Sequence, residues 1–170
     1  MITFATLCYL RHRNKILLQR KARGLFGEGR WNAPGGKIFA GELPEKAAVR
    51  EMLEETGLRV SGLRFNGILN FYLGASKELD QTVFVFSCNK SSGKMRGSSE
   101  GKLRWFSVDA IPYSEMWQDD RVWLPLLLDG MSLVGDFYFT DDYKDLINHK
   151  IHETSFADIP GSCTGRARVR

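Results

Sequence analysis

The sequence predicts an α+β domain in which a mostly mixed sheet is flanked by two helices. Three observations lead there. Runs rich in β-branched and aromatic residues recur at 2–10, 16–19, 65–73, 82–88, 103–108 and 133–140, the composition of half-buried strands. Between them, Pro44–Thr56 carries the start and stop signals of a helix. A second apolar stretch begins after Asp119-Asp120 and runs to Asp129, spacing that suits another helix.

In chain order, Asn14-Lys15 supplies a turn between the first two strands. Gly24 to Gly41 is glycine-rich and predicts a long structured loop. In the helix that follows, Pro44 suits the first helical position, Glu45 favours the positive end, and Gly57 stops the element. Residues 89–102 are rich in Ser, Gly and Lys and predict a mobile surface loop. Pro125 either falls in the first turn of the second helix or bends it. The pattern fades after Phe156, so the expectation is one domain over 1–155 and a flexible basic tail over 156–170.

Composition narrows the function. A chain of 170 residues with 43% hydrophobic and 26% charged residues holds one domain with a real core. No apolar run approaches the ~18 residues that span a bilayer. The apolar N-terminal stretch lacks a cationic flank before it and ends at Arg11-His12-Arg13, unlike a signal peptide. A soluble cytoplasmic chain with no membrane partner is expected, and a monomer. Cys8, Cys88 and Cys163 are scattered and make no C-x-x-C pair, which argues against a disulfide framework or a zinc site and for buried thiols in a reducing compartment. The net charge of +4 comes mostly from Arg166, Arg168 and Arg170, so no polymeric nucleic acid is required as a partner.

The first helix is chemically uneven. On a helical wheel Val49, Met52, Leu53 and Thr56 gather on one side, while Glu51, Glu54 and Glu55 gather on the other, with only Arg50 to offset them. A solvated acidic face is one reading. Against it, the cluster lacks interleaved lysines and follows Pro34-Gly35-Gly36-Lys37, a backbone able to approach a ligand closely. Carboxylates beside exposed carbonyls form a hard, all-oxygen site suited to Mg²⁺ or Mn²⁺ with substrate phosphates.

Gly36, then Glu42, then Arg50-Glu51-Met52-Leu53-Glu54-Glu55-Thr56-Gly57-Leu58 matches the full Nudix box, and the chain resembles a Nudix hydrolase. The resemblance implies a Nudix-type α/β/α sandwich with a mixed sheet between helices, and Mg²⁺-dependent cleavage (Mn²⁺ as a substitute) of a nucleoside diphosphate linked to another moiety. It implies Gly35 (through its carbonyl), Glu51, Glu54 and Glu55 as metal ligands, with Glu100 as a further ligand from a distant loop. Glu54, Glu55 and Arg50 would form the catalytic set, with Glu54 or Glu100 as general base and Glu42 supporting the glutamates. An ordinary exposed loop glutamate is the other reading of Glu100.

Outside the box, residues 105–128 with Phe26 to Asn32 resemble the MutT-type members that convert oxidised purine nucleoside triphosphates such as 8-oxo-dGTP to the monophosphate plus pyrophosphate. By that resemblance Asn32, Asp119 and Asp120 would bond the base edge, Trp117 would stack on it, Phe26 and Phe71 would line the pocket, and Lys21 would face the phosphates. A flat oxidised purine has donors and acceptors on its edge, which amide and carboxyl groups read, and faces that aromatic rings stack on. Adjacent aspartates converging on one base would share a proton and accept either donor pattern, oxidised guanine or oxidised adenine. Plain helix capping by Asp119-Asp120 stays open. The alternatives are a Nudix hydrolase of ADP-ribose, dinucleotides or capped RNA, and a non-catalytic nucleotide-binding module.

Overall fold

The computed structural model describes residues 1–155; the tail expected over 156–170, with Cys163, lies outside the described residues. Strands β1 (Thr3–His12) and β2 (Lys15–Lys21) form a hairpin that turns at Arg13, which has a left-handed φ of 53°, and Asn14. They pair only at Arg11–Ile16 and His12–Lys15 and then part. β1 continues parallel to β6 (Glu78–Cys88), whereas β2 turns to β3 (Trp31–Asn32) and β8 (Gly101–Ser107). β6 pairs antiparallel with β5 (Arg64–Leu73), β5 parallel with β9 (Ser132–Phe139), and β9 antiparallel with β10 (Leu146–Thr154). The result is the expected mixed sheet.

The divergence of β1 from β2 makes room for a loop, because β1 is left with an open edge and buried backbone groups need partners. The glycine-rich loop supplies them: Thr6 N donates to the Gly36 carbonyl, Cys8 N to that of Pro34 and Ile38 N to that of Phe4, each at 2.9 Å. Gly35 has no room for a side chain there; a Cβ would lie 2.0 Å from the Thr6 carbonyl oxygen.

Alternating residues of β1 feed two cores on opposite faces. Cys8 and Leu10 join Leu17, Phe86 and the apolar side of α1 (Pro44–Thr56), mainly Ala48 and Met52. Tyr9 joins Trp123, Leu124 and Leu127 of α2 (Asp120–Leu128) with Leu69, Leu133 and Phe137. The helices therefore cover the two faces, an α/β/α sandwich. α1 keeps its expected bounds, with Pro44 opening it and Gly57, in the left-handed region (φ 73°), donating to the Leu53 carbonyl. Cys8 and Cys88 are buried free thiols with their sulfurs 3.9 Å apart. Among the described residues no helix is long and apolar enough to cross a membrane.

Several local expectations change. Residues 89–102 are not one loop: β7 (Lys90–Ser92) pairs with β4 (Arg59–Ser61), and β8 begins at Gly101. Polar strands of this kind leave no apolar alternation to read. β10 carries no apolar pattern in the sequence, because its residues are mostly exposed and its order comes from backbone pairing with β9. Pro125 sits inside α2, and Asp119, at the N-cap position, makes no side-chain capping bond.

Candidate active site

Two of the carboxylates of α1, Glu51 and Glu55, are not on a solvated face. Ala48, Glu51, Met52 and Glu55 form a stripe at i, i+3, i+4 and i+7, and all four are buried. The buried face is thus rotated from the one expected, because the docked glycine loop and Lys21 give two glutamates polar partners. Glu55, whose side chain is 1% exposed, accepts from Gly35 N at 2.9 Å and from Lys21 Nζ at 2.8 Å. Burial pushes its carboxyl up to about 7 even with Lys21 opposing. Burial also raises Glu51, against the pull of Arg50.

Arg50 organises the rest. Its guanidinium grips Glu42 through two bonds at 2.8 and 3.0 Å, the Lys37 carbonyl at 3.0 Å, Glu51 at 2.7 Å and Glu54 at 3.3 Å. Phe39 lies against its other side, 4.1 Å from the ring centre. The Arg50 bonds hold the Glu42 carboxyl near 2, well below the usual range. Glu54 is the exposed member of the trio. Glu100, at the start of the β8 edge, meets Lys21 at 3.5 Å. Lys21 thus stands between Glu55 and Glu100.

Next to this wall opens a cavity of about 360 Å³. Its lining includes Gly35, Gly36, Lys21, Glu51 and Glu100, and with them Asn32, Phe26, Phe71, Trp117, Asp119 and Asp120. Arg50, Glu54 and Glu55 stand outside its lining. Asn32, a lining residue of the cavity, accepts through Oδ1 from Ala33 N at 2.8 Å. Asp119 and Asp120 are 3% and 2% exposed. Asp119 accepts from Trp123 Nε1 at 2.9 Å and Asp120 from Trp117 N at 3.0 Å, each through one oxygen. Burial raises Asp119 to about 6; burial and the neighbouring Asp119 charge also hold Asp120 well above the usual aspartate range. Burial thus disfavours ionising both carboxyls at once. Capping does not describe them. Trp117 carries Phe26 stacked at 5.0 Å and the Arg30 guanidinium 4.4 Å from its ring centre.

The cavity also includes residues that sequence reasoning missed: Thr6, with a buried hydroxyl lacking a partner, Gln81 on β6 and Tyr143 in the β9–β10 turn. A polar residue in the alternation Leu79, Gln81, Val83, Val85 was the one available signal for Gln81. None marked Tyr143.

The donors suit a hard divalent cation in kind, being carboxylate oxygens beside a main-chain loop. Gly36 is the cradle: a Cβ there would lie 2.6 Å from the Glu51 carboxylate, so only glycine lets that group lie against the loop. Among the described residues no three metal-binding side chains already meet in one cluster; Arg50 and Lys21 occupy the carboxylates instead.

A mixed sheet between two helices, with Glu51 and Glu55 buried against a docked glycine loop, defines the class. Residues 1–127 match the NUDIX domain model, and the chain belongs to that family, whose hydrolases generally use a divalent metal ion. It is 39% identical over 149 residues to an oxidized purine nucleoside triphosphate hydrolase from Danio rerio and 42% identical over 148 residues to the one from Mus musculus. Each match covers 87% of this chain and 93% of the relative. The crystal structure of a MutT protein from Bacillus halodurans is similar with a TM-score of 0.77 and 29% identity, over 88% of this chain and 97% of that one.

Proposed function

We propose that this chain hydrolyses oxidised purine nucleoside triphosphates such as 8-oxo-dGTP to the monophosphate and pyrophosphate, with Mg²⁺ as the ion and Mn²⁺ as a substitute. One observation supports the reading: a single cavity is lined both by the carboxylates Glu51 and Glu100 and by Phe26, Phe71, Trp117, Asp119 and Asp120. The identity with animal oxidized purine nucleoside triphosphate hydrolases supports the choice of substrate.

Gly35, Glu51, Glu54, Glu55 and Glu100 would hold the ion. Bound there, a divalent ion neutralises the polyphosphate and lowers the pKa of an attacking water. Arg50 keeps Glu51 and Glu54 in place through its fork of bonds. Lys21, released from Glu55, faces the phosphates. Glu54 or Glu100 takes the proton of the attacking water. Asn32, Asp119 and Asp120 bond the base edge, and Trp117, Phe26 and Phe71 supply apolar faces worth ~1–3 kcal/mol per stacked base. The shared proton of the aspartate pair lets the same wall meet oxidised guanine or oxidised adenine.

The test is product analysis on a nucleotide panel with Mg²⁺, for the wild type and two variants. Glu55→Gln loses turnover by about a hundredfold or more while still binding the base. Asp119→Ala leaves the chemistry but raises KM about tenfold or erases the preference for oxidised bases. Near-normal rates in Glu55→Gln refute the carboxylate assignment.

A further inference from the structure

The turn between β9 and β10 is braced more heavily than a hairpin requires. Thr140 N donates to the Asp145 carbonyl and Tyr143 N to that of Thr140, both at 3.0 Å. Thr140 Oγ1 donates to Asp142 Oδ1 at 2.8 Å and accepts from Asp145 N at 3.1 Å. The bracing holds Tyr143 at a φ of 58°, a conformation that residues with a Cβ rarely adopt. Gln118, the residue after Trp117, ties the turn to the base wall: its Nε2 donates to the Lys144 carbonyl at 2.9 Å, and its Oε1 accepts from Leu146 N at 2.8 Å.

A third anchor comes from β6. Phe71 pairs with Gln81 and Tyr72 with Leu79, so Asp80 is the extra residue of a bulge. Bulges re-aim side chains, and Asp80 accepts from Tyr143 Oη at 2.7 Å. Three separate segments fix one ring. That ring lines the cavity and meets Phe26 edge-on at 5.3 Å, Trp117 edge-on at 5.9 Å and Phe139 at 5.5 Å.

We propose that Tyr143 is a positioning residue of the base pocket: pinned by Asp80 and the Gln118-tied turn, its ring keeps Trp117 and Phe26 where they grip a flat heterocyclic base. The inference rests on the function proposed for this site and deepens it by naming what sets the grip. Edge-to-face contacts fix ring orientation as well as area. None of the contacts of Tyr143 reaches Glu51, Glu54, Glu55, Glu100 or Arg50, so it acts on base binding and leaves the hydrolytic step alone.

Steady-state kinetics of the full chain with Mg²⁺ and 8-oxo-dGTP, with thermal melting as a check on folding, test this. Tyr143→Ala raises KM about tenfold, the worth of a weakened stack, with kcat held within about twofold. Tyr143→Phe, which keeps the ring but loses its bond to Asp80, gives an intermediate KM, about threefold above wild type. Gln118→Ala, which frees the turn with the ring intact, raises KM about threefold or more, and it decides the matter if Tyr143→Ala fails to fold. An unchanged KM in both Tyr143→Ala and Gln118→Ala overturns the inference, as does a fall in kcat at constant KM. A wild type that is active while those variants are indifferent overturns this inference alone. A wild type idle on every purine nucleoside triphosphate overturns the base-pocket reading and this inference with it.

Discussion

Gly35 and Gly36 are adjacent, yet alanine at each should fail in a different way. Neither has a left-handed backbone, so the difference lies in what a new Cβ meets. At Gly35 it would lie 2.0 Å from the Thr6 carbonyl oxygen and 3.0 Å from Leu7 Cα, both main-chain atoms of β1. Relief requires loop and strand to separate by about 1.5 Å, since contacts form near 3.5 Å or more. That strains the Thr6–Gly36 and Cys8–Pro34 bonds, now 2.9 Å each. With about 1–3 kcal/mol for each buried group left unsatisfied, the cost is on the order of 4 kcal/mol. For a chain of this size that lowers Tm by roughly 8–16 °C.

At Gly36 the new Cβ would instead meet the Glu51 carboxylate at 2.6 Å, the movable end of a side chain. Glu51 swings away, its 2.7 Å bond to Arg50 breaks, and the fold is spared. Tm should stay within about 2 °C, while kcat/KM falls by about tenfold or more. Melting followed by circular dichroism, with turnover measured in Mg²⁺ on the same preparations, separates the two effects. A Gly35→Ala protein that melts with the wild type, or a fully active Gly36→Ala, would refute the reasoning.

Other outcomes follow from the same geometry. Arg50→Lys cannot reproduce the fork that joins Glu42, Glu51, Glu54 and the Lys37 carbonyl, so turnover drops by about tenfold or more although the charge is kept; a lysine variant with wild-type kcat would contradict this. Because burial raises Asp119 to about 6, the folded state holds a proton that the unfolded chain has already released. The associated stability is therefore present below the usual aspartate range and is lost as pH rises through about 6. Asp119→Asn should flatten that fall, so the Tm gap between wild type and variant narrows or inverts from pH 4 to about pH 7; parallel melting curves would count against it. Trp123→Ala removes a buried indole that also donates to Asp119, and it should cost about 3–5 kcal/mol and weaken base selection; urea titration with KM on the same protein measures both.

Local chemistry made much of this legible. Pro44, Glu45 and Gly57 mark α1 because capping and backbone preference act within one turn. The Gly36-to-Leu58 spacing marks the carboxylates because that spacing is itself the chemistry. The depth of Glu51 and Glu55 was not legible, since a helical wheel counts glutamate as outward-facing and cannot register a loop and a lysine arriving from elsewhere. β10 escaped for a related reason: residues such as Asn148, His149 and Lys150 show no apolar alternation, and the strand exists because β9 offers it backbone partners.

The order of residues therefore determined the helices and the apolar strands, the acidic helix and the identity of most groups at the site, all properties that act over a few positions. Tertiary structure alone decided that β1 and β2 part to admit the Gly35–Gly36 loop, and that Asn32, Gln81, Asp119 and Tyr143, far apart along the chain, face one cavity. Such convergence depends on which edges and faces remain to be satisfied once the sheet has formed, and no short window of sequence contains that information.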